Sequence, residues 1–356
     1  MVTVKIITDS IDNKGNRITS YLSTFTQTIV KEVLRHRMFS FSSSSMRAIP
    51  AHKVLEALEE EFYIPTAWQK KHSGMQGKEY FKPEDTFKED GYDISYINRA
   101  EYIWENAKDA SIDAARELLE LGVTKQNGNR LIETFGNVNL LMTATEVDNF
   151  FELRCPLYYY EPEDKYFYSK KDFINHYKKC FEVEKDFFDK WTVERWLEIN
   201  HSQAEIHVQE LAEAMWDARN ESTPKKLKEG EWHIPFGDRM DEEQIAKIAS
   251  RLVHKIPFGI KSKVTFIKLL VSAARCARLS YNTFDGKIDY EKDMQLAFML
   301  IEDAHWSPFE HSAQCMTEEE YKLFVRAFID RNTGNIFLQE GWLANFRGFK
   351  QFRQML

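Results

Sequence analysis

The sequence predicts a helix-rich α/β (α+β) fold in which residues 1–356 form a single domain. Three observations lead there. Val2–Thr8 alternates apolar and polar residues, as a half-buried strand does. Helical periodicity recurs along most of the remaining chain, and no clear linker divides it. With 43% hydrophobic and 29% charged residues, the composition is that of a globular protein and excludes wholesale disorder.

The first elements follow from local patterns. Ile18–Leu22 is a second candidate strand, and a helix is predicted from Thr24 because Phe25, Ile29 and Val33 share one face. The serine run 40–45 has no apolar period and is predicted to be a loop. Pro50 opens a further helix, and 65–93 are expected to be irregular.

The central and C-terminal elements are mostly helical. Tyr96–Leu121 is a long helix ended by Gly122, and a second stretch covers Thr145–Leu153. Ser202 and Glu205 have the spacing of a capping box for a helix to about Ala218. Further helices are predicted near 241–254, 263–281 and 290–303, and from a second box at Thr317 to Asp330. The alternating tail, 345–354, predicts a strand.

Residues 155–200 differ from the rest of the chain. They contain thirteen aromatic residues and eighteen charged ones. We expect an inserted helical hairpin, whose aromatic surface also suits an oligomer interface.

Composition narrows the class of protein. A net charge of −8 argues against a general nucleic-acid coat, and the most apolar stretch, 264–277, is too short and too charged for a membrane span. The N-terminus lacks a signal-peptide pattern, and no pair of cysteines forms a CxxC. A reducing, cytoplasmic setting is therefore expected. Neither GxGxxG nor a P-loop motif occurs.

A basic block at the end of the first helix is the first candidate site. Seven residues separate Arg35-His36-Arg37 from Ser45, and Arg47 comes two positions after Ser45. Guanidinium groups together with hydroxyls and loop amides suit an anion such as phosphate. The alternative is a basic helix end followed by a flexible serine linker.

Two further arginines end or follow helical stretches. Arg154 closes the aromatic helix, where it could hold a carbonyl or an enolate-like oxygen, or instead form an ion pair with Glu152 or Asp148. Arg130 follows Asn127-Gly128-Asn129 and leaves the same alternatives open.

Two histidine-containing segments complete the candidate set. His201 lies at the predicted helix N-terminus, where anions bind, although a good cap explains the segment equally well. His305 and His311 flank Ser307, Pro308 and Glu310. No metal site is expected there, because helical ligand pairs are usually four apart and Pro308 breaks a helix. We therefore expect this segment to be either a polar loop that contacts an aromatic ligand or a turn held by Pro308 and Phe309.

Together these motifs resemble the flavin-dependent thymidylate synthases, the ThyX family. That family's Arg-His-Arg, seven residues, Ser motif stands here as Arg35-His36-Arg37 and Ser45. Further matching segments are Asn149-Phe150 with Leu153-Arg154, 201–206, 277–281 and 305–311, so that matched blocks cover about half of the chain. The resemblance implies an antiparallel sheet with long helices.

The chain departs from the family pattern in three ways. The SPFEH-like loop, which precedes the Arg-His-Arg motif in compact members, here follows it near the C-terminus. Ser42-Ser43 replaces the usual Asn-Glu, and Ala48 stands where a tyrosine is usual. Residues 155–200 separate two blocks that are adjacent in short members. Long, rearranged versions of this type resemble those of bacteriophage genomes, for which the location would be the host cytoplasm.

The resemblance implies an activity and a set of ligands. The reaction would be the methylation of dUMP to dTMP, with FAD as cofactor and with NADPH and methylenetetrahydrofolate as co-substrates. The active sites of the family are assembled from several subunits of a tetramer, so a homo-oligomer is expected, with no nucleic acid and no membrane as partner.

The resemblance also implies roles for individual residues. Arg154 would be the catalytic residue and would hold the pyrimidine. The nucleotide would be bound by Arg35, Ser45, Arg47, Arg130 and Arg154. The flavin would be bound by Arg35, His36, Arg37, Asn149, His201, Ser280, His305, Ser307 and Glu310.

Three alternatives remain at this point. Ser42 and Ser43 in place of Asn-Glu motivate folate-dependent hydroxymethylation of dUMP or dCMP, with or without flavin. A nucleic-acid-binding module would use the basic segment 35–47 and the tail, and the negative net charge speaks against it. A structural or assembly protein would use the aromatic insertion as its interface.

Overall fold

A computed structural model describes residues 2–74, 77, 79–252, 255–279, 289–330 and 333–356. The helices are α1 (Val30–Val33), α2 (Ala51–Glu60), α3 (Tyr96–Glu120), α4 (Lys125–Ile132), α5 (Asp148–Arg154), α6 (Lys170–Cys180), α7 (Val193–Glu198), α8 (Ile206–Glu221), α9 (Glu242–Arg251), α10 (Lys263–Arg278), α11 (Tyr290–Glu302) and α12 (Glu318–Leu323). The strands are β1 (Thr3–Ile11), β2 (Arg17–Thr26), β3 (Ser40–Ser43), β4 (Thr86–Glu89), β5 (Tyr92–Ser95), β6 (Asn137–Ala144), β7 (Tyr158–Tyr160), β8 (Lys165–Phe167), β9 (Lys225–Lys226), β10 (Trp232–His233), β11 (Ala313–Cys315), β12 (Val325–Ile329), β13 (Ile336–Glu340), β14 (Trp342–Leu343), β15 (Phe346–Arg347) and β16 (Phe349–Gln351).

The central sheet has the strand order β3-β6-β2-β1-β9. All its pairs are antiparallel except β1 with the short β9. Because successive side chains of a strand point to opposite faces, Leu140 packs against α5 and α8 while Leu141 packs against α10. This mixed architecture confirms the predicted α+β class and the antiparallel sheet.

The first two strands are confirmed, and both are longer than predicted. The helix expected from Thr24 is wrong at its start, because Phe25 belongs to β2 and pairs with Val138 of β6. The helical segment begins at Gln27, and the Thr26 hydroxyl caps it by accepting a hydrogen bond from the Thr28 amide. An apolar run this short suits either structure, and the neighbouring strand decides between them.

The serine run is a strand rather than the predicted loop. Ser40–Ser43 forms β3 at the edge of the sheet and pairs with β6, with Ser42 opposite Leu141. β6 was not predicted from the sequence. Its run 138–142 is buried in the core except at Asn139. A flexible serine linker is therefore excluded at this position.

Several predicted helices are confirmed. In α2 the face with Val54 and Leu58 is buried, and α3 ends before Gly122, whose φ is +80°. The capping box at Thr317 and Glu320 forms as predicted. The helix that it begins ends at Leu323 rather than Asp330, since the chain then pairs as β12 with β13.

The capping box predicted at Ser202 is wrong. Helix α8 begins at Ile206, and the carboxylate of Glu205 caps it by accepting from the amides of His207 and Val208. Ser202 Oγ instead accepts a hydrogen bond from the Ala204 amide at 3.3 Å in the preceding turn. Acidic and hydroxyl residues both cap helices, so the sequence offered two possible starts.

The insertion is not a simple helical hairpin. It contains the β7–β8 hairpin followed by α6 and α7. Its aromatic residues form a core of their own, whose buried members are Tyr158, Tyr160, Phe167, Phe173, Phe188 and Trp196. The aromatic residues therefore largely hold the insertion together internally.

The most apolar stretch of the sequence is a buried core helix. Along α10, residues 266–277 are buried except Lys268, and the helix packs against α9 and α11. Within the described ranges, no helix is both long and apolar enough to cross a bilayer.

Candidate functional site

Arg154 and His36 meet at the end of α5. Arg154 Nε donates a hydrogen bond to His36 Nε2 at 3.0 Å, and the His36 ring stands edge-on to Phe150 with centroids 4.8 Å apart. The two motifs are 118 residues apart in sequence. Among the described residues, no ion pair joins Arg154 to Glu152 or Asp148, which were its predicted alternative partners. The fold therefore brings the first and second motifs together.

The state of His36 follows from its surroundings. Burial, and then the positive charge of Arg154, lower the pKa of His36 to about 4. The ring is neutral near pH 7, and its proton is on Nδ1 because Nε2 accepts from Arg154. His36 thus orients the guanidinium and leaves the two terminal nitrogens of Arg154 available to a ligand.

The loop 44–49, which follows β3, is held by α4. Asn129 Nδ2 donates to the carbonyls of Met46 (2.7 Å) and Ile49 (3.1 Å). Lys125 Nζ donates to the Ala48 carbonyl at 2.9 Å. Arg47 lies inside this clamped loop and Arg130 follows the clamping Asn129, and both are exposed. The predicted phosphate ligands Arg47 and Arg130 therefore belong to two segments that are in contact through Asn129 and Lys125.

Ser45 belongs to the same loop. Its carbonyl accepts from the Ala48 amide at 2.9 Å, and the residue is half-buried. The neighbouring Ser44 ties the loop to the sheet, because its amide donates to the Asn139 carbonyl at 2.8 Å and its hydroxyl accepts from the Asn139 amide at 2.9 Å. The loop that would bind phosphate is therefore well anchored at both ends.

The fourth motif reaches the first through a buried contact. His311 Nε2 lies 2.9 Å from Ser42 Oγ, and His311 Nδ1 lies 2.9 Å from Thr143 Oγ1. The SPFEH segment and the serine strand, 269 residues apart in sequence, are thus neighbours. The altered order of the motifs does not prevent this assembly.

That contact belongs to a longer chain of hydrogen bonds. Thr143 Oγ1 lies 2.7 Å from Ser20 Oγ, which lies 2.9 Å from His233 Nε2, and His233 Nδ1 lies 3.0 Å from Ser10 Oγ. All its members are buried. We call this the hydroxyl–histidine chain: Ser42, His311, Thr143, Ser20, His233 and Ser10. Burial lowers the pKa of both His233 and His311 to about 3, with mutual proximity a further cause for His311.

The predicted flavin ligands divide into two groups. Arg35, Arg37 and Asn149 are exposed beside the His36–Arg154 contact. His305 precedes the 3₁₀ turn Ser307–Glu310 and Ser307 is its first residue, and both side chains are exposed. Within the part of the chain that the structure describes, no hydrogen bond or ion pair joins the two groups, although the turn Ser307–Glu310 packs against β3.

Three predicted flavin residues are differently placed. Glu310 forms an ion pair with Arg353 of the C-terminal turn. His201 stacks on Tyr159 of the insertion, with centroids 5.0 Å apart, and lies 3.3 Å from the Tyr166 hydroxyl. His201 also lines a cleft of about 570 Å³ with Tyr80 and Gln209. Ser280 lies outside the described residues.

The donors around His36 suit a cofactor that carries a diphosphate. Arg35 and Arg37 are permanently charged and exposed, and no ion pair is recorded for either among the described residues. Asn149 adds an amide on α5. This donor set suits the phosphate oxygens of a bound anion.

Several contacts around these motifs were not predicted from the sequence. His233 was not a candidate residue and His311 was considered only together with His305, and their pairing with distant hydroxyl groups has no local signal. Gln351 Nε2 donates to Ser40 Oγ at 3.0 Å and to Asn345 Oδ1 at 2.9 Å, which fastens the tail to the start of β3. Such long-range contacts depend on strand order, which periodicity does not encode.

Comparisons with known proteins give limited similarity. No family model matches the chain, and no curated protein matches it significantly in sequence. The structure is similar to a UMP/dUMP methylase, PolB from Streptomyces cacaoi, bound with 5-Br dUMP. The TM-score is 0.36 and the identity 13%, over 62% of this chain and 90% of that chain. The same enzyme bound with 5-Br UMP gives a TM-score of 0.35 and 12% identity, over 62% and 88%. A likeness of this size carries no argument about activity.

Proposed function

We propose that the protein methylates C5 of dUMP to give dTMP, with methylenetetrahydrofolate as carbon donor and NADPH as reductant. The observation that carries the proposal is the hydrogen bond from Arg154 Nε to His36 Nε2. It joins, in one place, the two motifs that the family resemblance assigns to pyrimidine and flavin. FAD, when bound, supplies the hydride that completes the methyl group.

The reaction balances without an enzyme nucleophile. C5 of the pyrimidine loses a proton and gains the folate methylene carbon with its two hydrogens. The third hydrogen of the methyl group arrives as hydride and derives from NADPH. The C5 proton and one proton from solvent end on the two folate nitrogens that release the carbon, and the products are dTMP, tetrahydrofolate and NADP⁺. The protein has to bind, orient and polarise, which arginines and backbone amides do well.

Arg154 polarises the pyrimidine in this proposal. Its terminal nitrogens donate to the carbonyl oxygen beside N3 of the pyrimidine and favour the N3-ionised form. Ionisation at N3 raises the electron density at C5. His36 fixes the guanidinium plane through Nε. Because His36 stays neutral, it adds no charge that would compete with the guanidinium for the anionic ring.

Arg47, Arg130 and Ser45 bind the nucleotide phosphate in this proposal. The two guanidiniums are exposed at the clamped loop 44–49, where an anion reaches them from solvent. Arg35 belongs to both the nucleotide group and the flavin group in the proposed assignment. On a chain of net charge −8, such a local basic region attracts an anionic substrate.

Arg35, His36, Arg37 and Asn149 hold the flavin in this proposal, and His305 and Ser307 contribute from a second subunit. This division follows the family resemblance, in which each active site is assembled from several subunits of a tetramer. The β12–β13 hairpin offers a surface for such assembly, because Ile329, Ile336 and Leu338 are each at least 67% exposed. Light scattering of the purified protein measures the oligomer number directly.

Hydroxymethylation of dUMP or dCMP is the competing outcome. Its motive was Ser42-Ser43 in place of Asn-Glu. Ser42 is buried and hydrogen-bonded to His311, so it does not face a bound nucleotide. Ser43 is half-buried, so the replacement at that position keeps hydroxymethylation as the competing outcome.

The deciding experiment combines a spectrum with a product mass. The freshly purified protein is expected to show a flavin spectrum and to release FAD. With dUMP, methylenetetrahydrofolate and NADPH it is expected to give a nucleotide heavier by one methyl group. A hydroxymethyl product would replace the proposed reaction by its competitor. A protein that neither carries nor takes up FAD, and that is inactive on both nucleotides, would overturn the proposal.

A further inference from the structure

Three metal-ligating side chains converge in the insertion, away from the proposed active site. Glu163 ends the 3₁₀ turn Glu161–Glu163 between β7 and β8. His176 and Cys180 lie one helical turn apart on α6. The i,i+4 spacing places both ligands on one face of the helix, opposite the hairpin turn.

The donor atoms form a compact triangle. His176 Nε2 lies 3.0 Å from Glu163 Oε2, and Cys180 Sγ lies 3.8 Å from His176 Nε2 and 3.8 Å from Glu163 Oε1. A tetrahedral Zn²⁺ with bonds of about 2.3 Å to sulfur and about 2.0–2.1 Å to nitrogen and oxygen separates its ligands by about 3.3–3.6 Å. The observed triangle needs only small side-chain adjustments to reach that geometry.

The aromatic core of the insertion holds the triangle in place. The His176 ring packs edge-on against Tyr160 at 5.3 Å and lies 4.9 Å from Phe167. The imidazole is therefore oriented by neighbours on β7 and β8, as ligands of a metal site commonly are.

We infer that Glu163, His176 and Cys180 bind one Zn²⁺, with a water molecule in the fourth position. Sulfur, nitrogen and carboxylate oxygen together are a typical zinc donor set. Glu163 and Cys180 are exposed, so a metal from solvent and the fourth ligand both have access. The metal joins the β7–β8 turn to the C-terminal end of α6 through these ligands. This site is independent of the proposed methylation, and it was not predicted from the sequence, in which only His305 and His311 suggested a metal pair.

Cobalt is a suitable probe because Zn²⁺ has no visible spectrum. The full-length protein, stripped with a chelator, is titrated with Co²⁺ and followed by absorbance. We expect saturation at one equivalent, visible bands of a tetrahedral ion and a thiolate charge-transfer band. Added Zn²⁺ should displace the cobalt and abolish the bands.

Single substitutions assign the ligands. Cys180→Ser should remove the charge-transfer band, and Glu163→Gln should weaken Co²⁺ binding at least tenfold. Glu161→Gln, in the same exposed turn, is the matched control and should leave the titration unchanged. All three positions are exposed, so loss of folding is not expected.

Stability gives an independent readout. Zn²⁺ at a large excess over its dissociation constant should raise the Tm of the wild type and of Glu161→Gln by a few degrees, and leave that of Cys180→Ser unchanged. Absence of Co²⁺ bands, or bands unaffected by Cys180→Ser, would overturn the assignment. Either result leaves the methylation proposal untouched.

Discussion

An arginine that bonds through Nε is fixed in orientation yet keeps two terminal nitrogens for a ligand. Arg154 is held in this way by His36, and it is half-buried at the end of α5. Arg47 differs, since it is exposed on a loop and no ion pair is recorded for it among the described residues. The first arrangement suits precise polarisation of a ring, and the second suits capture of a phosphate.

Replacing Arg154 tests the polarising role. Arg154→Ala should lower kcat at least a hundredfold while the protein stays folded, because its contribution is made in the transition state. Steady-state kinetics and circular dichroism check the two halves of this expectation. Glu152→Gln, an exposed change on the same helix, is the control and should leave kcat unchanged. Near-normal turnover by the alanine variant would remove Arg154 from the mechanism.

Replacing Arg47 tests the phosphate site. Arg47→Ala should weaken dUMP binding by about 1–3 kcal/mol, which is the range for hydrogen bonds to charged groups. Calorimetric titration with dUMP measures the change, and Lys53→Ala, an exposed cation on α2, serves as control. An affinity equal to that of the wild type would exclude Arg47 as a phosphate ligand.

Among the elements, the tail strands join distant parts of the chain. β16 pairs with β11, and the Gly348 carbonyl accepts from the Met316 amide at 3.0 Å. Gly348 has φ of +77°, and a Cβ placed there would lie 2.4 Å from Asp12 Oδ2. The link between β15 and β16 therefore needs glycine at position 348, both for its backbone conformation and for its close approach to the β1–β2 turn.

The glycine requirement can be measured. Gly348→Ala should lower the free energy of unfolding by about 2–5 kcal/mol, the sum of left-handed backbone strain and overpacking. Gly15→Ala is the matched control, since Gly15 also has positive φ but no atom within 4 Å of the added Cβ. Its cost should be about 1–2 kcal/mol. Equal losses in urea unfolding would show that the contact with Asp12 is unimportant.

At the scale of the whole molecule, the hydroxyl–histidine chain joins the sheet to the C-terminal segments. Its two imidazoles are fully buried and neutral, with pKa values of about 3 against an unfolded value near 6.5. Between these values the unfolded state binds protons that the folded state does not. Stability is therefore complete above about pH 6.5 and is lost as the pH falls toward 3.

Acid unfolding tests this coupling. The free energy of unfolding should fall between pH 6 and pH 4 by up to about 1.4 kcal/mol per pH unit for each buried histidine. His311→Gln should reduce that slope by about one histidine's share, whatever its effect at pH 7. His52→Gln, at an exposed position, should leave the slope unchanged. A slope unaltered by His311→Gln would mean that other groups cause the acid sensitivity.

Local signals predicted the structure where one segment decides its own conformation. The long helix α3 with Gly122 after it and the Thr317 capping box are examples, because periodicity, caps and a glycine act within a few residues. The same reasoning failed at Phe25, at the serine strand and after Leu323. In each case, pairing with a distant strand outweighed the local preference.

Composition, periodicity and motifs sufficed to predict the α+β class, most helices and the residue types of the candidate site, since these are local properties. Which of those residues meet depends on the packed fold. It joined Arg154 to His36 and Ser42 to His311, and gave Glu310 an arginine partner. It also placed Glu163 beside His176 and Cys180. The physical reason is that such contacts depend on strand order and on burial, which arise only when the whole core packs.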